Sequence, residues 1–111
     1  MALSGDTAIV GAYGEASNQT TITNGTTASA NNTFGGAGAS YIYKRTGSTW
    51  AQEAYIKASN ANTSDFFGYS VALSGDTAIV GAYIEDSNQT TITNGTTSSA
   101  DNTLSQAGAS Y

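Results

Sequence analysis

Wherever the chain is apolar, its side chains alternate with a period of two. In ASYIYKR, Tyr41, Tyr43 and Arg45 fall on one side, and Ser40, Ile42 and Lys44 on the other. In WAQEAYIKA, Trp50, Gln52, Ala54 and Ile56 share a face opposed by Ala51, Glu53, Tyr55 and Lys57. Alternation among aromatic and β-branched residues predicts strands. FGYSVAL sets Phe67, Tyr69, Val71 and Leu73 against Gly68, Ser70 and Ala72, one large face and one small. TAIVGAY is apolar on both faces, as in a strand buried between two sheets. The turns SGD at 74–76 and TGS at 46–48 are short and contain the glycine that a tight hairpin demands. Residues 14–38 and 84–107 lack a 3.6-residue period and are rich in Asn, Thr, Ser and Gly, so no helix is predicted.

The strands recur. Ala2–Tyr41 and Ala72–Tyr111 align without a gap at an offset of 70. They differ only at Gly14/Ile84, Ala16/Asp86, Ala28/Ser98, Asn31/Asp101, Phe34/Leu104, Gly35/Ser105 and Gly36/Gln106. Such a period marks a repeat architecture. One period reads as strands A (Gly68–Leu73), B (Thr77–Tyr83), C (Ala39–Arg45) and D (Trp50–Lys57), with a long loop between B and C. Four antiparallel strands with apolar faces on both sides describe a β-propeller blade, which needs neighbours to bury those faces. The expected fold is all-β, about one and a half four-stranded blades. Residues 1–71 form a first repeat that starts at the end of strand A, and 72–111 form a partial second. Trp50, Ile56, Phe67, Val71, Leu73, Ile79 and Val80 are the expected core.

The motif FFGYSVALSGDTAIVGAY adds a family. Phe67-Gly68 followed by Val80-Gly81-Ala82 resembles the FG-GAP repeat of integrin-type β-propellers, with Tyr83 in place of proline. The strand TWAQEAYIKAS and the turn VALSGDT are similar to those of the bacterial surface-protein branch. The resemblance implies a non-enzymatic extracellular or cell-surface module. Many such blades hold calcium in an Asp-x-Asp-x-Asp-Gly loop between strands A and B. Here that loop is only Ser74-Gly75-Asp76, or Ser4-Gly5-Asp6 in the other copy, and one carboxylate cannot supply the six to eight oxygens of calcium. Asp76 reads as a turn residue.

Composition narrows the chemistry. The 111 residues contain no Cys, His or Pro, and their net charge is −5. There is no thiolate or imidazole to activate a nucleophile. Glu85-Asp86, adjacent in sequence, would point apart in an extended segment and make a poor acid/base pair. No enzyme is expected. Three basic residues argue against nucleic acid, and no apolar run suggests membrane insertion. Met1 opens directly onto repeat sequence without a signal peptide, which suits a fragment boundary.

The B–C loop carries the candidate sites. Glu85, Asp86, Asn88, Asp101 and Asn102 offer hard oxygens for calcium if the loop folds back on itself. The competing reading is a loop tied by Asx turns and side-chain-to-backbone hydrogen bonds. Sequons at Asn18, Asn24, Asn31, Asn62, Asn88 and Asn94 are candidate glycosylation sites, although a chain this rich in Asn and Thr makes sequons by chance. The aromatics Tyr41, Tyr43, Trp50, Tyr55, Phe66, Phe67 and Tyr69 suit packing between blades better than sugar stacking. The leading expectation is an adhesion or surface-scaffold module that binds an extracellular protein or glycan through the B–C loops. One alternative is a structural protein whose copies complete each other's blades as a homo-oligomer or fibre. The other is a calcium-dependent carbohydrate-binding module.

Overall fold

The computed structural model describes residues 1–111 as eight strands and no helix. They are β1 (Ala2–Ser4), β2 (Thr7–Ala12), β3 (Thr23–Asn24), β4 (Ala39–Thr46), β5 (Thr49–Ile56), β6 (Phe67–Ser74), β7 (Thr77–Ala82) and β8 (Ala109–Ser110). Two antiparallel sheets result, ordered β1-β2-β4-β5-β3 and β6-β7-β8. The first four strands of sheet 1 are A, B, C and D of one blade, A being short. Sheet 2 holds A and B of the next blade with the first residues of C. The four predicted strands match β6, β7, β4 and β5 to within a residue or so at each end. β3 was not predicted. It is a piece of the long loop that pairs with the outer edge of β5, Thr23 opposite Tyr55 and Asn24 opposite Ala54.

Both bulges in the sheets break the simple alternation. Ile42 pairs with Ala54 but Tyr43 pairs with Gln52, so Glu53 is an extra residue in β5. The faces of β5 therefore exchange at Glu53. Trp50 and Gln52 share a face with Tyr55 and Lys57, while Ala54 and Ile56 turn toward sheet 2, contrary to the plain period-two reading. In β6, Phe67 pairs with Ala82 but Ser70 with Gly81. The bulge at Gly68 and Tyr69 separates Tyr69 from the buried Phe67 and carries it to the surface, 56% exposed.

The core lies between the sheets. Ile9, Phe67 and Val80 anchor it, with Ala37, Ala58, Ala61 and Ala82. Ile56, Val71 and Leu73 pack against it, partly buried. Two expected core residues are not in it. Trp50 lies on the far face of sheet 1, 44% exposed, with the Arg45 guanidinium 5.7 Å from its ring centre. Ile79 lies on the far face of sheet 2, 54% exposed, although Ile9 at the same position of the first copy is fully buried. The sequence around the two isoleucines is identical. Only the presence of a neighbouring sheet differs.

The sheets approach through glycine. A Cβ on Gly11 of β2 would lie 1.9 Å from the Gly68 carbonyl oxygen, and one on Gly68 would lie 2.3 Å from that of Ala39. Gly68 also has φ +89°. Backbone touches backbone here, and the contact continues as hydrogen bonds from Ser64, Phe66 and Phe67 N–H to the carbonyls of Gly35, Gly36 and Ala37, at 2.9–3.1 Å. In sheet 2 the equivalent Gly81 faces only the Ser70 hydroxyl, a side-chain atom free to rotate. Gly11→Ala should therefore destabilise by about 3 kcal/mol or more, and Gly81→Ala by less than about 1 kcal/mol. Urea unfolding of the two variants measures the difference, and equal midpoints would contradict this packing.

Candidate functional site: the paired loops and their buried glutamates

Each long loop is closed at its neck by the same backbone bonds. In loop 1 (residues 13–38), Gly38 N–H donates to the Glu15 carbonyl at 2.8 Å and Phe34 N–H to that of Ala16 at 2.8 Å. In loop 2 (residues 83–108), Gly108 donates to Glu85 at 2.7 Å and Leu104 to Asp86 at 2.9 Å. Side chains repeat the pattern. Ser17 N–H donates to the Glu15 carboxylate, Gln19 N–H to the Ser17 hydroxyl, and the Gln19 amide to Thr21 O and Thr23 Oγ1. Ser87, Glu85, Gln89, Thr91 and Thr93 repeat it in the second loop. Ser, Asn and Asp compete for backbone groups in this way, which gives a loop without helix or extended sheet a fixed shape.

Of the candidate calcium residues, Asn88 and Asp101 meet at Thr103, while Asp86 and Glu85 find other partners. Asp86 accepts from Gln106 N–H at 2.6 Å. Asp101 accepts from Thr103 N–H at 2.8 Å and from its hydroxyl at 2.5 Å. Those Thr103 bonds hold the Asp101 carboxyl below its usual range. Asn88 donates to Thr103 Oγ1 at 3.0 Å, Asn102 is exposed, and Glu85 turns inward to Ser87 and Asn60. No group of three Asp or Glu side chains converges in the chain. Among the sequons, Asn18, Asn24, Asn31, Asn88 and Asn94 are exposed and Asn62 is half-buried.

The strongest electrostatic feature is one the sequence does not announce. The Lys57 side chain is fully buried, and its ammonium donates to Glu15 Oε2 at 2.9 Å and to the Gly38 carbonyl at 2.6 Å. One cation thus joins the end of β5 to both sides of the loop 1 neck. The available signal was a lone lysine ending strand D together with a glutamate kept in both loops. Nearby, the Tyr55 hydroxyl is buried without a hydrogen bond. Burial and the Glu15 charge push that phenol well above its ordinary range, although Ser17 pulls the other way. Glu85 is buried more deeply than Glu15, and its partner is the Asn60 amide at 2.8 Å. Burial, followed by the charges of Glu85 and Asp86, pushes the Asp65 carboxyl up to about 6, against the pull of its Asn62 N–H bond and of Lys57.

Exposed aromatics gather at the loop roots. Tyr13 and Tyr83, immediately after β2 and β7, meet Phe66 and Tyr69 with ring centres 4.3–6.0 Å apart. Asp6 and Arg45, at the hairpin ends, form an exposed ion pair at 2.7 Å.

The profile of the FG-GAP repeat family matches residues 50–111, more than half of the chain. The chain belongs to the FG-GAP repeat family. No curated protein and no solved structure matches it. The match spans β5 to β8 and includes the Phe67-Gly68 and Gly81-Ala82 pairs. FG-GAP repeats build β-propeller-type modules, commonly non-enzymatic binding units of extracellular domains. No helix in this FG-GAP chain is long and apolar enough to cross a membrane.

The Lys57 contacts define a stability test. Lys57→Met leaves the half-buried Glu15 carboxylate without its cation, and unfolding free energy should fall by about 3 kcal/mol. Adding Glu15→Leu should recover much of that loss, because a matched apolar pair removes the orphaned charge. Chemical denaturation of the single and double variants reads both steps.

Proposed function

We propose that the chain is a non-enzymatic extracellular module that binds a protein or glycan through the roots of its long loops. The supporting observation is the cluster of exposed Tyr13, Tyr69 and Tyr83 around the half-buried Phe66, beside both loop necks. Tyrosine combines apolar area with a hydrogen-bonding tip, the property that makes it frequent at binding hot spots. The loops beside it are held by local hydrogen bonds, so a ligand meets a shaped surface at little ordering cost. Adhesion and surface scaffolding are the roles this reading favours.

Immobilised extracellular-matrix proteins and a glycan array supply the test. Tyr69→Ser with Tyr83→Ser should lower affinity for a bound ligand by about thirtyfold, with circular dichroism unchanged. Unchanged binding by that variant would remove the reading. Calcium enters this proposal only as an alternative, since Asp86 and Asp101 each give one oxygen to backbone amides and keep the other for a cation. Binding that survives a chelator, with no calorimetric heat from calcium, would separate the module from a calcium-dependent lectin.

A second reading, self-assembly, is favoured by the unequal burial of identical residues. Ile79 on the outer face of sheet 2 is 54% exposed, and Leu3 on the opposite outer face of sheet 1 is 60% exposed. These two faces are copies of the two that already pack together in the core. A second chain stacked head to tail would bury them in the same way, and such contacts propagate unless they close. Light scattering after size exclusion should give a mass above 11.2 kDa. A compact monomer at micromolar concentration would count against assembly while leaving the loop-binding reading intact.

A further inference from the structure

Three of the seven tyrosines form a row on the surface. Tyr13, Tyr69 and Tyr83 are each at least half exposed, and Tyr69 is the middle member. Its ring centre lies 4.3 Å from that of Tyr83, with the planes tilted by 45°, and 5.5 Å from that of Tyr13, edge-on at 64°. The half-buried Phe66 backs the row, stacked on Tyr83 at 5.8 Å and edge-on to Tyr13 at 6.0 Å. The bulge in β6 is what turns Tyr69 away from the core and into this row. Tyr13 and Tyr83 hold the same position in the two copies, so both sides of Tyr69 are filled by the chain's own residues.

Two solvent-facing phenols this close are suited to oxidative coupling. A one-electron oxidant takes an electron and the phenolic proton from each ring. The two phenoxyl radicals join through a carbon–carbon bond between positions ortho to the oxygens. The hydrogens on those carbons move to the oxygens and restore both phenols. The pair has then lost two hydrogen atoms, which reduce one hydrogen peroxide to two waters. Held side by side, the rings couple within the chain in preference to an encounter between chains. The other tyrosines are less well placed. Tyr55 lies 5.2 Å from Tyr41 but is fully buried. Tyr41 and Tyr43 are half-buried, with ring centres 6.5 Å apart. Tyr111 is half-buried, and its hydroxyl donates to Asn60.

We propose that Tyr69 and Tyr83 are a covalent modification site, coupled to dityrosine by an external oxidant of the haem peroxidase class acting with hydrogen peroxide. The bond ties the bulge of β6 to the root of loop 2. It closes β6, β7 and their turn into a ring, which restricts the unfolded chain as a disulfide does. The chain has no cysteine, so no disulfide serves this purpose. Coupling requires no ligand on the tyrosines and stands apart from the binding reading.

The full chain, treated with a haem peroxidase and hydrogen peroxide, supplies the test. The monomer is then unfolded and digested with trypsin. Cleavage after Lys44, Arg45 and Lys57 separates Tyr13, on fragment 1–44, from Tyr69 and Tyr83, on fragment 58–111. Fragment 58–111 should lose two hydrogens by mass and gain dityrosine fluorescence. Tyr69→Phe and Tyr83→Phe should each abolish that product, and Tyr111→Phe should leave it in place. Each change removes one hydroxyl and keeps the ring, and circular dichroism checks that the fold is retained. Oxidation of the chain unfolded in urea should lower the yield, because the fold supplies the proximity. Covalent dimers without an internally coupled monomer, or a product joining 1–44 to 58–111 in its place, would overturn the assignment. So would a product that survives Tyr69→Phe or Tyr83→Phe, or one that forms equally in urea.

Discussion

Everything in this molecule is arranged around the contact of Gly11 with Gly68, where the main chains of two sheets touch. A side chain at either position would hold the sheets apart. Once they are this close, the space beside the contact accepts little more than methyl groups. The buried apolar list accordingly contains Ala37, Ala39, Ala54, Ala58, Ala61 and Ala82, with Phe67 as one of its few large members. The glycines of the repeat motif are thus spacing elements, and the phenylalanine beside Gly68 is the wedge that fills what remains. Apolar burial is modest, so backbone hydrogen bonds between loop 1 and the connector before β6 share the work of holding the sheets together.

A second constraint follows from the repeat. The two copies of ALSGDTAIVGAY are chemically identical, yet Ile9 is buried and Ile79 exposed. The core positions of one blade exist only in relation to the next. Stability in such an array is a sum of intrinsic terms and nearest-neighbour interfaces. This chain contains one complete interface of that kind and displays both of its halves again on its outer faces.

The strands, their hairpins and the family motif were legible in the sequence because each rests on local rules. Alternation, short glycine turns and the 70-residue offset need no knowledge of the third dimension. What failed was extrapolation across a bulge. Ala54 and Ile56 were assigned to the face of Trp50, and Tyr69 to that of Phe67, because a period of two was carried through Glu53 and Gly68 without interruption. Trp50 and Ile79 belong to the expected core through their alternation and the four-strand period, neither of which says whether a neighbour is present. The loop's Asx and Ser hydrogen bonds are local in character and were foreseen as one of two readings. The strand β3 and the Lys57–Glu15 pair were not. Both join residues thirty or more apart in sequence, and neither the lone lysine nor the repeated glutamate says by itself which residue it meets.

The bulge at Glu53 reaches further than its size suggests. Upstream of it Trp50 and Gln52 occupy the outer side of the sheet, and downstream Tyr55 and Lys57 do so, two residues separating Gln52 from Tyr55 where regular alternation has one. One additional residue has shifted the phase of the strand by half a cycle. Were Glu53 paired as an ordinary strand residue, without the bulge, the ammonium of Lys57 would point into the alanine-lined space between the sheets and Ile56 and Ala58 would turn out to water. The extra residue acts as a rectifier: it lets one strand present aromatic rings and a cation to the preceding side and small apolar groups to the following side, so that a row of such blades has a direction.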